Sequence, residues 1–204
     1  KGPNILLSTT SLRSDFPITY YTPSRPIYTA PPLFEDTIPA AVFVARNCRS
    51  LNHREDLVKS LSKYVRVDSV SSCLHNADNP IPDKVKLVRQ YRVYLAFENQ
   101  NERDHVTEKV YDGLEAGVPT IYLGAPNIIE DSLVPNGSII HANKYKSPRI
   151  LALYVRRLLT SKTTWMAAQQ WRYSRDPAFD ARFAFASDHI DCRICRGLRS
   201  YCAT

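Results

Sequence analysis

Tyr91-Arg-Val-Tyr-Leu-Ala-Phe-Glu-Asn99 is an apolar run that stops abruptly at an acid and an amide. Five residues later comes Asp104-His105-Val106-Thr107-Glu108-Lys109, and then a helix-forming stretch that closes on Ala116-Gly117-Val118-Pro119. A short, nearly continuous apolar segment bounded by polar residues fits a strand buried on both faces. The spacing predicts a strand over Val93–Phe97, a helix over Val106–Ala116 and a further strand over Val118–Leu123. That strand–helix–strand unit belongs in a parallel sheet with right-handed crossovers.

The same alternation extends to both sides. Ala40–Ala45 reads as a strand, Arg54–Tyr64 as an amphipathic helix and Val65–Val70 as a second strand. A helix over Pro82–Tyr91 and a very short strand over Ser138–His141 complete an α/β, Rossmann-like, mostly parallel sheet. Beyond residue 147, Ile150, Leu151, Leu153, Tyr154, Leu158 and Leu159 recur at helical spacing. Trp165 and Trp171 follow on a second helix, where packing against the sheet is their expected role. Residues 1–39 carry Pro17, Pro23, Pro26, Pro31, Pro32 and Pro39 among aromatics and read as an extended connecting segment. Residues 40–175 form the Rossmann-like unit, and residues 176–204 a helical tail containing Cys192-x-x-Cys195.

The chain has 204 residues and a net charge of +7. Such a balance suits an anionic partner, whether nucleotide diphosphate, polyphosphate or nucleic acid. No run of Lys and Arg reaches five residues, so nucleic acid receives little support beyond the charge itself. No apolar stretch approaches the roughly 18 residues of a membrane span. The five cysteines, Cys48, Cys73, Cys192, Cys195 and Cys202, leave one thiol unpaired or paired outside the chain. His189, Cys192, Cys195 and Cys202 are also spaced as a zinc-ligand set, which would suit an interaction module. Asn136-Gly137-Ser138 is an N-glycosylation sequon.

Open parallel sheets bind ligands beyond the carboxyl ends of their strands. The candidate binding residues sit in those loops. A helix N-terminus favours a phosphate, and Lys109, one turn into its helix, adds a full charge. Glu108 can accept hydrogen bonds from sugar hydroxyls. Arg54, one loop after the first strand, can reach the same crevice and grip a diphosphate in bidentate fashion.

Phe97-Glu98-Asn99 with Asp104 to Lys109, continued by Ala116-Gly117-Val118-Pro119 and Leu123-Gly124-Ala125-Pro126-Asn127, resembles the signature of the GDP-fucose-dependent α1,3/4-fucosyltransferases. The similarity runs from about Ser8 to Cys195. Ser8 to Leu12, Asn47-Cys48 and Ser72-Cys73 are similar to the plant-type core α1,3-fucosyltransferases, which modify the innermost GlcNAc of N-glycans. The resemblance implies the C-terminal, donor-binding half of a GT-B enzyme. It matches Arg54 and Lys109 to pyrophosphate-binding cations, Glu108 to a carboxylate on the sugar or ribose, and Asn99 and His105 to donor-site positions. His105 departs from the family's usual Tyr.

The family chemistry is an inverting displacement with the base supplied by the N-terminal domain, in the Golgi lumen, by a type II membrane protein whose anchor lies outside this chain. The resemblance implies an N-glycan or another GlcNAc-containing molecule as acceptor. No D-x-D motif is present, so a divalent metal is possible but not required, with the two cations serving the pyrophosphate instead. In such a compartment Cys192–Cys195 and Cys48–Cys73 are the expected disulfides, with Cys202 left over. A nucleotide-sugar-binding or lectin-like module without turnover remains the alternative from another class.

Overall fold

The computed structural model describes residues 5–202, with side chains through Arg199. Five parallel strands form one sheet in the order β2-β1-β3-β4-β5: β1 (Ile38–Phe43), β2 (Val67–Ser69), β3 (Tyr91–Phe97), β4 (Thr120–Leu123) and β5 (Ile139–His141). Helices α1 (Arg54–Ser62), α2 (Lys84–Arg89), α3 (Glu108–Ala116) and α4 (Pro148–Thr160) alternate with the strands or follow them. Then come α5 (Lys162–Ala167), α6 (Pro177–Phe183) and α7 (Ile190–Cys202). The α/β fold class and every expected strand are present, with bounds shifted by at most two residues.

Side-chain alternation along β1 and β3 divides the core into two layers. Ala40, Val42, Tyr94 and Ala96 face one cluster, completed by Val110, Tyr111 and Leu114 of α3. Ala41, Phe43, Val93, Leu95 and Phe97 face the other, completed by Val58 and Leu61 of α1 and Leu151, Val155 and Leu158 of α4. Both faces of the sheet are therefore covered, as a parallel sheet requires. Pro39 offers no N–H to the ladder, and the β1–β3 register shifts between Ile38 and Ala41, where it sits.

Close approach of α3 to the sheet depends on Gly113. A Cβ there would lie 2.4 Å from Thr120 Oγ1 and 2.7 Å from Tyr94 Cδ1. Gly117, at φ 78°, ends the helix in the left-handed conformation.

The terminal segments join this core. Tyr21 and Ile27 are buried with Phe179 and Phe183 of α6, and Tyr21 packs on Phe179 at 4.7 Å between ring centroids. Trp165 is buried and its indole N–H donates to Arg92 O at 2.8 Å. Trp171 lies in a 3-10 turn (Gln170–Tyr173), not on a second α-helix, and packs against Tyr28 at 5.7 Å. Along α4 the buried face is Leu151, Ala152, Val155, Leu158 and Leu159, while Ile150 and Leu153 are exposed. Among the described residues no helix is long and apolar enough to cross a membrane.

The Cys192–Cys195 bridge is corrected by the structure. Both thiols are free and exposed on α7. Cβ atoms three residues apart on a helix are about 5–6 Å from each other, farther than the 3.5–4.5 Å a disulfide spans. The helix would have to distort to bridge them. The side chain of Cys202 lies outside the described residues, so the fourth member of the His189–Cys202 zinc set and any pairing of that thiol do too.

Candidate functional site

Because β2 and β3 lie on opposite sides of β1, the chain reverses its progress across the sheet between β1 and β3. Loops leaving the carboxyl ends of those two strands diverge and open a crevice, the usual ligand position in such sheets. A cavity of about 410 Å³ occupies this end. Val44, Val70, Ile81 and Leu87 give it apolar wall, and Arg46, Arg54, Lys84, Glu108 and Lys109 give it charge. Four cations therefore face it against one carboxylate.

The loop after β1 is stitched to the end of β3. Asn47 Nδ2 donates to Asn99 Oδ1 at 2.8 Å, Leu51 N to Asn99 O at 2.9 Å and Asn52 Nδ2 to Glu98 O at 3.0 Å. Arg54 lies beneath, 3% exposed, where it donates to Phe97 O at 2.7 Å and Asn47 O at 3.0 Å. Its Nε has no hydrogen-bond partner. Burial pushes the guanidinium below its ordinary pKa, against the pull of Glu55 and Glu98. Ser50 opens α1 by accepting Arg54 N and donating to Glu55 Oε2 at 2.6 Å.

At the start of α3, the wholly buried Glu98 organises the turn. It accepts Thr107 N at 2.8 Å and the Thr107 hydroxyl at 2.7 Å. Lys109 Nζ lies 3.2 Å from Glu98 Oε2 and donates to Thr107 Oγ1 at 2.8 Å. Glu108, two-fifths exposed, sits between Lys109 at 3.4 Å and Lys84 at 3.6 Å. Burial alone would raise its carboxyl pKa, but Lys109 and Lys84 outweigh it and hold the group below the usual carboxylate range. Lys84 also pairs with buried Asp112 at 2.9 Å. Asp112 in turn accepts Arg25 of the N-terminal segment at 2.5 Å.

Arg54, Glu108 and Lys109 thus line one cavity. Asn99 and His105 lie outside its wall: Asn99 is engaged with Asn47, and His105 follows Asp104 in a left-handed turn (φ 63°) tied to Asn127. Arg46 and Lys84 are wall residues that sequence reasoning missed. The available signals were positional: Arg46 directly follows the expected strand Ala40–Ala45, and Lys84 follows Pro82-Asp83 as the first residue of α2.

Cys48 and Cys73 join the loops after β1 and β2 in a disulfide, with Cα atoms 5.0 Å apart. It closes a separation of 25 residues. Replacing Cys48 by Ser is expected to lower stability by about 2–3 kcal/mol, seen as a lower urea midpoint at unchanged slope. An unchanged midpoint would show that the hydrogen bonds around Asn47 and Asn99 suffice. Asn136 is exposed on the turn before β5, its N–H donating to Asp176 Oδ2 at 2.7 Å.

Residues 36–203 match the model of glycosyltransferase family 10 (fucosyltransferase), C-terminal region. A putative fucosyltransferase-like protein of Arabidopsis thaliana is 33% identical over 96% of this chain and 38% of its own length. GDP-fucose protein O-fucosyltransferase 3 of Homo sapiens is 35% identical over 64% of this chain and 29% of its own. Alpha-(1,3)-fucosyltransferase B of Drosophila melanogaster is 32% identical over 67% of this chain and 33% of its own. The chain therefore spans about a third of the length of these relatives. A crystal structure of an alpha1,3-fucosyltransferase superposes with a TM-score of 0.61 at 22% identity, covering 76% of this chain and 49% of that one, a likeness of fold. The same fold with GDP-fucose bound gives 0.59 at 20% identity over 76% and 50% of the two chains. With the sheet, the strand-end crevice and the family model in agreement, the chain belongs to glycosyltransferase family 10, the fucosyltransferases.

Proposed function

We propose that this chain is the donor-binding lobe of a GDP-fucose-dependent fucosyltransferase, with the diphosphate in the crevice between β1 and β3. The observation that carries the proposal is the 410 Å³ cavity at the strand-order reversal, walled by four cations and a carboxylate held ionised by two of them. Negative charge grows on the leaving GDP as the glycosidic bond breaks, so fixed cations there act most strongly at the transition state. Glu108 is the wall's carboxylate, an acceptor suited to a sugar hydroxyl.

The reaction is an inverting displacement. An acceptor hydroxyl loses its proton to a base and attacks the anomeric carbon on the face opposite GDP, through an oxocarbenium-like transition state. The family resemblance favours α1,3 transfer to GlcNAc of an N-glycan. The relatives named protein O-fucosyltransferase 3 favour a protein hydroxyl instead. The Cys48–Cys73 disulfide supports an oxidising compartment such as the Golgi lumen, where exposed Asn136 could carry a glycan.

Thermal unfolding of the chain with a series of nucleotides tests the donor. GDP-fucose and GDP at 100 times their dissociation constants are expected to stabilise it by about 2.7 kcal/mol, with UDP-sugars giving no shift. Equal protection by UDP-sugars would sink the guanine-nucleotide assignment. Acceptor choice is read by offering the full-length enzyme a core N-glycan and a folded protein substrate side by side.

A further inference from the structure

From Ser132 to Arg175 the sequence holds eight Lys and Arg residues and no Asp or Glu. The remainder of the chain carries 19 basic and 20 acidic residues, so the whole positive excess lies in this stretch. Three of the eight cations are used within the fold. Arg172 is buried on Ile27 O and Leu114 O, Lys162 pairs with Glu35 at 2.7 Å and Arg175 with Asp180 at 2.9 Å. The other five, Lys144, Lys146, Arg149, Arg156 and Arg157, are exposed. Their side chains have no hydrogen-bond or ion-pair partner among the described residues.

Helical spacing puts the three arginines on one side of α4, opposite the buried stripe of Leu151, Val155 and Leu158. Ile150 and Leu153 share that side, 45% and 43% exposed among the guanidinium groups. Lys144 and Lys146 continue the face to the carboxyl end of β5, the edge of the parallel sheet on which the crevice also opens. Arg149 sits in the first turn of α4, where the helix dipole disfavours a cation, and no acid shares that turn. Arg156 and Arg157 are adjacent like charges with no carboxylate to offset them. Placements that work against the local fold mark surfaces kept for function. Cations around exposed apolar side chains complement a polypeptide that presents carboxylates around apolar groups of its own. A second copy of the same face would be repelled. The Cys48–Cys73 disulfide suits an oxidising compartment, where neither nucleic acid nor the anionic cytoplasmic leaflet of a membrane is met. We propose that this face of α4, with Lys144 and Lys146 leading into it, docks an acidic, partly apolar segment of the protein acceptor at the crevice edge of the sheet. The inference rests on the reading of the chain as a lobe of a transferase acting on a protein or glycoprotein. It adds the character of the acceptor and the surface that selects it.

Fluorescence anisotropy with a labelled peptide of alternating Glu and Leu, and with its Gln-for-Glu counterpart, tests docking on the chain. Wild type is expected to bind the Glu peptide alone, less tightly as salt rises from about 50 to about 500 mM. The triple variant Arg149→Glu/Arg156→Glu/Arg157→Glu should weaken that binding about 10-fold or more. It removes no contact within the fold, so its Tm and its stabilisation by GDP should match wild type. In the full-length enzyme the triple variant should raise KM for an acidic protein acceptor by a similar factor, with kcat and the KM for GDP-fucose unchanged. The same acceptor with its Glu and Asp replaced by Gln and Asn should show no difference between the two enzymes. Equal peptide binding by wild type and variant, no binding of the Glu peptide by wild type, or an unchanged acceptor KM overturns the inference. So does a wild-type preference for phosphatidylserine vesicles or a single-stranded oligonucleotide over the peptide. In all these cases stabilisation by GDP still reports separately on the nucleotide reading, which falls only if GDP fails to protect wild type.

Discussion

On its own, the chain is expected to bind GDP-fucose but to transfer fucose at least 10²–10⁴-fold more slowly than the enzyme completed by the N-terminal part of its family's fold. Efficient inversion needs a base on the face of the sugar opposite GDP. The carboxylates near the crevice are poorly placed for that work. Glu98 is wholly buried and committed to Thr107 and Lys109. Glu108 is clamped between Lys84 and Lys109 on the same wall as the cavity's cations. Loss of general-base assistance typically costs ~10²–10⁴-fold, and lost acceptor positioning adds to it. The measurement is turnover of GDP-fucose by the isolated chain and by the completed enzyme under the same conditions. Comparable rates would locate the base within these residues and overturn the division between lobes.

Replacing Lys109 with Met is expected to cost about 3–5 kcal/mol of stability, the range found when one partner of a buried ion pair is removed. The lower end applies here, because the ammonium keeps 18% exposure while Glu98 has none. Without Lys109, Glu98 keeps only the Thr107 donors for a charge taken wholly out of water. Neutralising the stranded acid in the double variant Lys109→Met/Glu98→Gln should recover a substantial part of the loss. Urea unfolding of wild type, both single variants and the double variant gives the coupling directly. A Lys109→Met protein as stable as wild type would mean that Lys109 serves ligand alone.

What was legible in the sequence was whatever depends on local periodicity. Val93–Phe97 announced a buried strand because its apolar run ends at Glu98-Asn99, and Gly117 announced the end of α3 because only glycine takes that left-handed turn readily. The helix there begins two residues later than expected because Thr107, still extended, gives its N–H to Glu98. Arg54 shows the limit. Its place one loop after the first strand marked it as a cation of the crevice but gave no sign of its burial, which depends on carbonyls 7 and 43 residues away in sequence. Lys84 was hidden for the same reason, since its partners Asp112 and Glu108 belong to the next helix but one strand along. The tail misled in the opposite direction: two cysteines three apart suggested a bridge, and the continuous helix α7 keeps their side chains apart.

From Arg25 through Asp112, Lys84, Glu108 and Lys109 to Glu98, six side chains of alternating sign form one unbroken series of contacts. Each member has a neighbour of opposite sign, so reversing any single charge leaves two like charges adjacent somewhere along the row. In this chain the row therefore responds to a substitution as one unit. A change of sign at Arg25, more than 80 residues before Lys109, places a like charge against Asp112 at the head of the row. The proline-rich leading segment, which looks like the part of the chain most open to variation, inherits the restrictions of the site.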